Sequence, residues 1–293
     1  REELQMLANL NDVLVPAKRG RFAVGLFNSV NLELARAIIQ AAERLRAPVI
    51  LGTAEVLLPF GPLEELSWFL VPMAKRASVP VVVHFDHGMS MQLCENALRL
   101  GFTSIMYDAS WLPYDENVRD TREMAAMAHG FGATIEAELG HIGSSENSAE
   151  GSAQTDMCEE CFTDPVQARD FVRSTGVDAL AVAVGTVHGH YRAAPRLDFS
   201  RIASIAQAVE VPLVLHGGSG LSDVDFARSI ELGISKVNIF TDINCAAASA
   251  CDRALRSGKT ALTDLIPLEV EAVESSVAEK IRLFGSEGKA GRY

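Results

Sequence analysis

Short apolar segments alternate with amphipathic segments along almost the whole chain of 293 residues. No other feature constrains the fold as strongly. Short runs rich in β-branched residues and bounded by turn residues predict buried parallel strands. Eight such runs lie at 22–27, 48–52, 80–85, 104–108, 133–138, 179–184, 213–216 and 236–239.

Amphipathic segments with helical periodicity follow the predicted strands. They lie at 31–46, 63–77, 91–100, 117–129, 165–175, 199–208 and 223–232, with two further helical patterns at 244–256 and 268–284. Eight strands that alternate with helices predict an α/β fold, a (β/α)8 TIM barrel with extra C-terminal helices. Those extra helices either cap the barrel or meet a second subunit. The length suits one such domain over 1–293.

The charge of the chain limits its partners. With 26 Lys and Arg against 38 Asp and Glu, the formal net charge is -12. Such a surface argues against nucleic acid and against an anionic membrane as partners. Backbone amides and a metal can still attract a small anionic substrate.

The distribution of apolar residues and cysteines bears on the compartment. No run reaches the roughly 18 apolar residues of a membrane span, and no signal-peptide pattern follows Arg1. The five cysteines are an odd and sparse set, which indicates a reducing compartment. Cys158 and Cys161 form a single C-x-x-C in a polar segment, which favours free thiols. We therefore expect a cytoplasmic protein.

Three histidines, His87, His188 and His216, each come just after an apolar run. In a TIM barrel the carboxyl ends of all strands meet at one mouth, where catalytic groups gather. Three imidazoles that converge with an open position are the ligand set of a catalytic zinc site. Each histidine alone could instead be a hydrogen-bonded structural residue. Asp86, beside the first histidine, is placed to act as an acid or base on a bound substrate.

Carboxylates end two other predicted strands. Glu136 and Glu138 alternate, so both side chains point to the same side, which we expect to be the barrel interior. Glu138 either contacts the metal or holds a metal-bound histidine. In the alternative, both glutamates bond to an inward Lys or to backbone N–H groups. Asp108 either orients a ligand histidine or caps the next helix.

Three loops complete the candidate site. Gly217-Gly218-Ser219-Gly220 and Asn238-Ile239-Phe240-Thr241 follow or end the last two predicted strands. In barrels these positions commonly bind phosphate through backbone N–H groups and small hydroxyls. The polar segment 143–163 is long for a loop and predicts a mobile lid or a disordered stretch.

Five motifs occur in a fixed order over nearly the whole chain. They are His-Phe-Asp-His-Gly at 84–88, Glu-Ala-Glu-Leu-Gly at 136–140, Gly-Thr-Val-His-Gly at 185–189, Leu-His-Gly-Gly-Ser-Gly at 215–220 and Lys-Val-Asn-Ile at 236–239. Together they resemble the class II, metal-dependent ketose-bisphosphate aldolases, whose best-known members act on fructose and tagatose bisphosphates. The resemblance implies reversible cleavage of a phosphorylated ketose to dihydroxyacetone phosphate and an aldehyde.

The resemblance also assigns roles to residues. It implies Zn²⁺ held by His87, His188 and His216, with Glu138 as an alternative contact, and a monovalent cation (Na⁺ or K⁺) near the phosphate. Asp86 would exchange a proton with the C4 hydroxyl, and Glu146, with Glu150 as its rival, would serve the next carbon. The substrate would contact Asn28, Gly189, Gly217, Gly218, Ser219, Asn238 and Thr241. We expect a homodimer or a homotetramer.

The sequence departs from the family pattern at three places. Ser144 and Ser145 stand where glycines are usual beside Glu146, and Phe240 replaces a small or acidic residue. The stretch 259–264 lacks the arginine that binds the distal phosphate in the family, which removes a bidentate contact. The substrate is therefore either a fructose or tagatose 1,6-bisphosphate or a ketose 1-phosphate with another distal group, such as a sulfonated sugar phosphate. Another metal-dependent barrel lyase or epimerase and a catalytically silent homologue are the remaining alternatives.

Overall fold

A computed structural model of the chain describes residues 6–140, 142, 161–186 and 196–291. Glu146, His188, Gly189 and Cys158 lie outside these residues, as does most of the predicted lid at 143–163. The strands in the described part are β1 (Leu7–Ala8), β2 (Val24–Asn28), β3 (Val49–Ala54), β4 (Val81–Gly88), β5 (Ser104–Tyr107), β6 (Thr134–Leu139), β7 (Ala179–Val182), β8 (Leu213–Leu215) and β9 (Ile234–Ile239).

Most helices lie close to where the periodicity predicts them, although one was not predicted and the last begins six residues before its predicted start. In the described part they are α1 (Leu10–Gly20), α2 (Leu32–Leu45), α3 (Leu63–Arg76), α4 (Met91–Arg99), α5 (Tyr114–Gly130), α6 (Pro165–Thr175), α7 (Phe199–Ala208), α8 (Asp223–Glu231), α9 (Thr241–Arg256) and α10 (Leu262–Leu283). Several begin at a polar residue whose side chain accepts a hydrogen bond from a backbone N–H of the first turn, as an N-cap does. These caps are Asn31, Ser90, Asp164, Asp198 and Ser222.

Strands β2 to β9 form a closed parallel barrel. Each pairs in parallel with the next, and β9 pairs back with β2. Strand β1 adds a short parallel pairing to the start of β4, at Leu7–Val81, before β5 joins β4 at His84. The predicted (β/α)8 barrel is confirmed.

The C-terminal helices lie on the outside of the barrel and do not cap it. Helix α9 follows β9 directly, so it takes the place of the eighth barrel helix. Helix α10 is added beyond it and packs against α2 and α9. Its buried residues, such as Val273 and Val277, belong to the core between helices and strands. Within the described residues, no helix has both the length and the apolar character needed to cross a bilayer.

Helix α1, which the sequence patterns did not reveal, closes one end of the barrel. Its Leu10 and Leu14 share an apolar cluster with the inward-facing Leu26, Val82 and Val214 of three barrel strands. Because α10 packs against α2 and α9 beside the barrel, the alternative that the C-terminal helices cap it is wrong, and their contact with a second subunit stays a prediction. The α1 signal is weak in sequence because Pro16 lies inside the helix, where proline usually interrupts helical structure.

Candidate metal centre and active site

A bulge in β4 carries Asp86 and His87 into the mouth of the barrel. The pairing of β4 with β5 shifts register between Phe85 and Gly88, as in a β-bulge that re-aims a side chain. His87 has a φ of 47°, a left-handed conformation that few non-glycine residues adopt. Strand β4 thus runs past its predicted end at residue 85. Two consecutive side chains, Asp86 and His87, join one cluster.

That cluster is completed by His216, the residue after β8. Nε2 of His87 lies 2.8 Å from Nδ1 of His216, and the two rings meet edge to face with centroids 4.6 Å apart. One ligand atom each from Asp86, His87 and His216 all lie within 4.8 Å of one another. Two imidazoles at this spacing suit two ligands of a Zn²⁺ ion, with the Asp86 carboxylate beside them.

A second group of possible ligands shares His87. Ligand atoms of His87, Asp108 and Glu138 also lie within 4.8 Å of one another. Burial, followed by the nearby Asp108, raises the pKa of Glu138 to about 8. These two buried carboxyl groups oppose each other's ionisation. A cation bound between them would stabilise their ionised forms. The residues present therefore fit a divalent metal, and the contribution of His188 stays a prediction.

Asp108 orients His87. Its Oδ2 lies 2.8 Å from Nδ1 of His87, while its Oδ1 accepts hydrogen bonds from the backbone N and the Oγ of Ser110. Helix α5 instead begins after Pro113, without a side-chain cap. The capping alternative is therefore wrong. A carboxylate on Nδ1 holds the proton there and leaves Nε2 to face the cluster.

The carboxylates around His87 raise its pKa. Burial alone would lower its pKa, but the carboxylates of Asp86, Asp108 and Glu138 raise the pKa to about 9. Burial raises the pKa of Asp108. The hydrogen bond from His87 and the charge of His87 outweigh this effect, so the net pKa of Asp108 lies below its usual range. Surroundings that favour an imidazolium also favour a divalent cation at the same position.

Glu136 and Glu138 both lie in the interior, but their contacts differ. Oε1 of Glu136 lies 2.7 Å from Nε2 of His216, and its Oε2 lies 2.7 Å from Nζ of Lys236. Oε1 of Glu138 accepts a hydrogen bond from the backbone N of Ile142. The carboxylate that holds a histidine is therefore Glu136, while Glu138 lies beside His87.

The partners of Glu136 keep it ionised. Burial raises its pKa, but Lys236 and the hydrogen bond with His216 outweigh burial, and the pKa lies at about 2. The contacts match the alternative of an inward Lys and a backbone N–H: Lys236 pairs with Glu136, and the backbone N of Ile142 donates to Glu138. The sequence analysis did not identify Lys236 as that lysine. The signal was present, because a lysine within the buried strand Ile234–Ile239 needs an acidic partner.

Two amides hold Asp86 in place. Nδ2 of Asn28 donates to Oδ2 of Asp86 at 2.8 Å, and Nδ2 of Asn238 donates to Oδ1 at 3.0 Å. Burial raises the pKa of Asp86, but the charges of His87, Lys236 and His216 hold the net pKa below its usual range. The two asparagines, predicted as substrate contacts, thus contact the candidate base.

The predicted phosphate loops lie side by side. Gly217, Gly218 and Ser219 follow His216 and are buried. A Cβ on Gly218 would lie 3.0 Å from the backbone O of Asn238, tighter than side chains normally pack, so glycine suits the close approach of the two loops. Thr241 begins α9 and is partly buried. These residues adjoin the cluster, and their binding of phosphate stays a prediction.

Comparison with known proteins settles the family. The model of the family described as "Fructose-bisphosphate aldolase class-II" matches residues 8–289. The chain is a class II aldolase by family. Its membership explains why the five motifs occur in one order, and it makes the protein a carbon–carbon lyase by class.

Relatives of this aldolase cover nearly its whole length. "Uncharacterized protein YdjI" of Escherichia coli (strain K12) is 41% identical over 286 residues, which are 97% of this chain and 100% of that protein. The fructose-bisphosphate aldolase of Geobacillus stearothermophilus is 38% identical over 296 residues, which are 98% of this chain and 99% of that protein. The crystal structure of the YdjI aldolase from Escherichia coli K12 superposes with a TM-score of 0.86 at 38% identity, covering 97% of this chain and 99% of that chain.

Proposed function

We propose that this protein is a zinc-dependent aldolase that reversibly cleaves a phosphorylated ketose to dihydroxyacetone phosphate and an aldehyde. One observation carries the proposal. One ligand atom each from Asp86, His87 and His216 lie within 4.8 Å of one another, at the end of the barrel where active sites lie in this fold. Family membership supports the reaction class.

In this proposal His87, His216 and His188 hold the metal, and Glu138 and Asp108 offer further carboxylate contacts. Zn²⁺, when bound, supplies positive charge that stabilises the negative charge left on the dihydroxyacetone phosphate fragment as the C3–C4 bond breaks. Asp108 sets the proton position of His87.

Asp86 is the proposed base for the C4 hydroxyl. Its carboxylate takes the hydroxyl proton as the C4 carbonyl forms, a role that needs an ionised and fixed oxygen. The amide groups of Asn28 and Asn238 meet both needs, since each donates a hydrogen bond to this carboxylate. Glu146 is the proposed acid at C3.

The phosphate of dihydroxyacetone phosphate is proposed to bind at Gly189, Gly217, Gly218, Ser219 and Thr241. Backbone N–H groups in a glycine-rich turn and the first turn of α9 offer donors to an anion. The monovalent cation at this phosphate, the homodimeric or homotetrameric assembly and the cytoplasmic location stay predictions.

The distal group of the substrate is the open part of the proposal. Residues 259–264 are exposed and follow α9, whose 16 residues span about 24 Å at the helical rise of about 1.5 Å per residue. Lys259 is therefore far from a substrate held at Thr241 of the same chain. This distance favours, as a second candidate, a ketose 1-phosphate whose distal group is not a phosphate.

The test combines metal removal with a substrate panel. Chelator treatment should abolish dihydroxyacetone phosphate release, and added Zn²⁺ should restore it. The panel compares kcat/KM for fructose 1,6-bisphosphate, tagatose 1,6-bisphosphate and ketose 1-phosphates with other distal groups.

The outcomes separate the alternatives. A clear preference for either bisphosphate would show that another residue replaces the missing arginine. Full activity in metal-free protein, or trapping of substrate on a lysine by borohydride, would contradict the proposed mechanism. Protein that binds less than one zinc per chain and cleaves nothing in the panel would favour the silent homologue.

A further inference from the structure

Three fully buried side chains from three strands or strand ends form a chain inside the barrel. Lys236 lies on β9, Glu136 on β6, and His216 directly after β8. Nζ of Lys236 is 2.7 Å from one oxygen of Glu136, and the other oxygen is 2.7 Å from Nε2 of His216. All three side chains are 0% exposed.

We propose that Lys236 is a positioning residue for the metal centre, which acts through Glu136 to fix the orientation and tautomer of His216. The inference rests on the zinc site of the proposed function. It adds a residue to that site that does not touch metal or substrate.

The Glu136 contact decides which nitrogen of His216 carries the proton. A carboxylate oxygen accepts, so Nε2 of His216 carries the proton and donates a hydrogen bond to Glu136. Nδ1 is then left with a lone pair, and Nδ1 is the atom that lies 2.8 Å from Nε2 of His87. Hydrogen bonds of this kind from a ligand histidine fix its ring and tautomer.

Lys236 stabilises the carboxylate that makes this contact. A buried carboxylate without a cation is costly, and loss of one partner of a buried pair leaves the other charge uncompensated. In the described part of the chain, Lys236 and His216 are the basic side chains that pair with Glu136. Without Lys236, we expect Glu136 to turn away or to admit water, and His216 to lose its fixed orientation.

Small residues on β7 leave room for this arrangement. In the strand pairing, Ala179 is opposite Glu136, and Ala181 is opposite both Glu138 and Val214. Val214 is in turn opposite Lys236. The alanine methyl groups on the intervening strand let the Glu136 side chain extend towards β8 and β9. The sequence thus places small residues beside the contact, as well as the three side chains that form it.

The decisive measurement is zinc affinity, obtained by competition of metal-free protein against a chromophoric chelator. Lys236→Met keeps the length of the side chain and removes its charge, and Glu136→Gln removes the carboxylate. Each should weaken zinc binding by about 10- to 100-fold, as removal of such supporting contacts does in other metal sites. The absorption spectrum of the Co²⁺ protein should change in both variants.

The double variant tests whether Lys236 acts through Glu136. If it does, Lys236→Met together with Glu136→Gln should bind zinc no more weakly than Glu136→Gln alone, since coupled residues are non-additive. If Lys236→Met does not fold, Lys236→Gln asks the same question, because it removes the charge and keeps a hydrogen-bond donor.

Lys18 provides a matched control. Its Nζ donates to the backbone carbonyls of Val209, Glu210 and Val211 from α1, at the closed end of the barrel. Lys18→Met should lower the free energy of unfolding and leave zinc affinity unchanged. If Lys236→Met does only the same, the lysine is structural and the inference is wrong. If the wild-type protein binds no zinc, the proposed function itself fails.

Discussion

Asp86 is held in the site by side chains from two other strands. Two amide groups donate to it, and the charges of His87, Lys236 and His216 lower its pKa against the effect of burial. Such an environment holds a carboxylate ionised and immobile. Both properties matter for a base and neither is needed for a residue that only fills space.

Replacement of Asp86 by alanine should therefore affect turnover and not metal content. We expect kcat for the best ketose substrate to fall by about 10²- to 10⁴-fold, the usual contribution of a general base, with zinc content unchanged. Asp223→Ala, at the exposed start of α8, is the control and should keep wild-type kcat. A rise in KM with unchanged kcat would make Asp86 a binding residue.

At the scale of the elements, neighbouring strands set the position of each site residue. Gly52 of β3 is opposite Asn28 of β2 in the sheet, and a Cβ on Gly52 would lie 2.5 Å from Oδ1 of Asn28. Glycine is needed here because the Asn28 side chain occupies the space. The orientation of Asn28 towards Asp86 thus depends on a residue that has no polar side chain.

Gly52→Ala should displace Asn28 and impair catalysis. We expect a lower kcat and a loss of about 1–3 kcal/mol in the free energy of unfolding, typical of an overpacked core. Gly130→Ala, where a Cβ at the end of α5 meets nothing within 4 Å, should leave kcat unchanged. Steady-state kinetics and urea unfolding measure both effects. Wild-type kcat in Gly52→Ala would show that Asn28 does not support Asp86.

At the scale of the whole molecule, the candidate metal centre connects distant parts of the chain. His87 belongs to β4 and His216 follows β8, and 129 positions separate them. A ligand that binds the folded state and not the unfolded state stabilises the fold by mass action. Because its ligands come from separate strands, we expect zinc to bind the folded barrel much more tightly than the unfolded chain.

Zinc should therefore raise the stability of the metal-free protein. At a free concentration of about 100 Kd the gain should be about 2.7 kcal/mol, seen as a higher unfolding midpoint in urea or on heating. His216→Ala should lose most of this gain. His129→Ala, at a partly exposed histidine that pairs with Asp178, should keep it. An equal gain in all three proteins would place zinc binding elsewhere.

The order of strands and helices could be read from the chain because it depends on local patterns. Alternating runs predicted the barrel, and the residues after the runs placed Asp86, His87 and His216 at one mouth. Their location at one end of the barrel follows from the architecture, since every parallel strand of a barrel ends on the same side, but the bulge that brings both Asp86 and His87 into one cluster does not. These parts of the fold and site needed no knowledge of individual contacts.

Which partner each polar residue takes was decided by the tertiary structure. The contact of Asn238 with Asp86 joins residues 152 positions apart, and the choice of Glu136 over Glu138 as the partner of His216 depends on side chains that cross the barrel. The closing of the barrel by α1 is of the same kind. No local pattern encodes such contacts, because side chains from distant strands select one another only when the closed barrel brings them within hydrogen-bond reach.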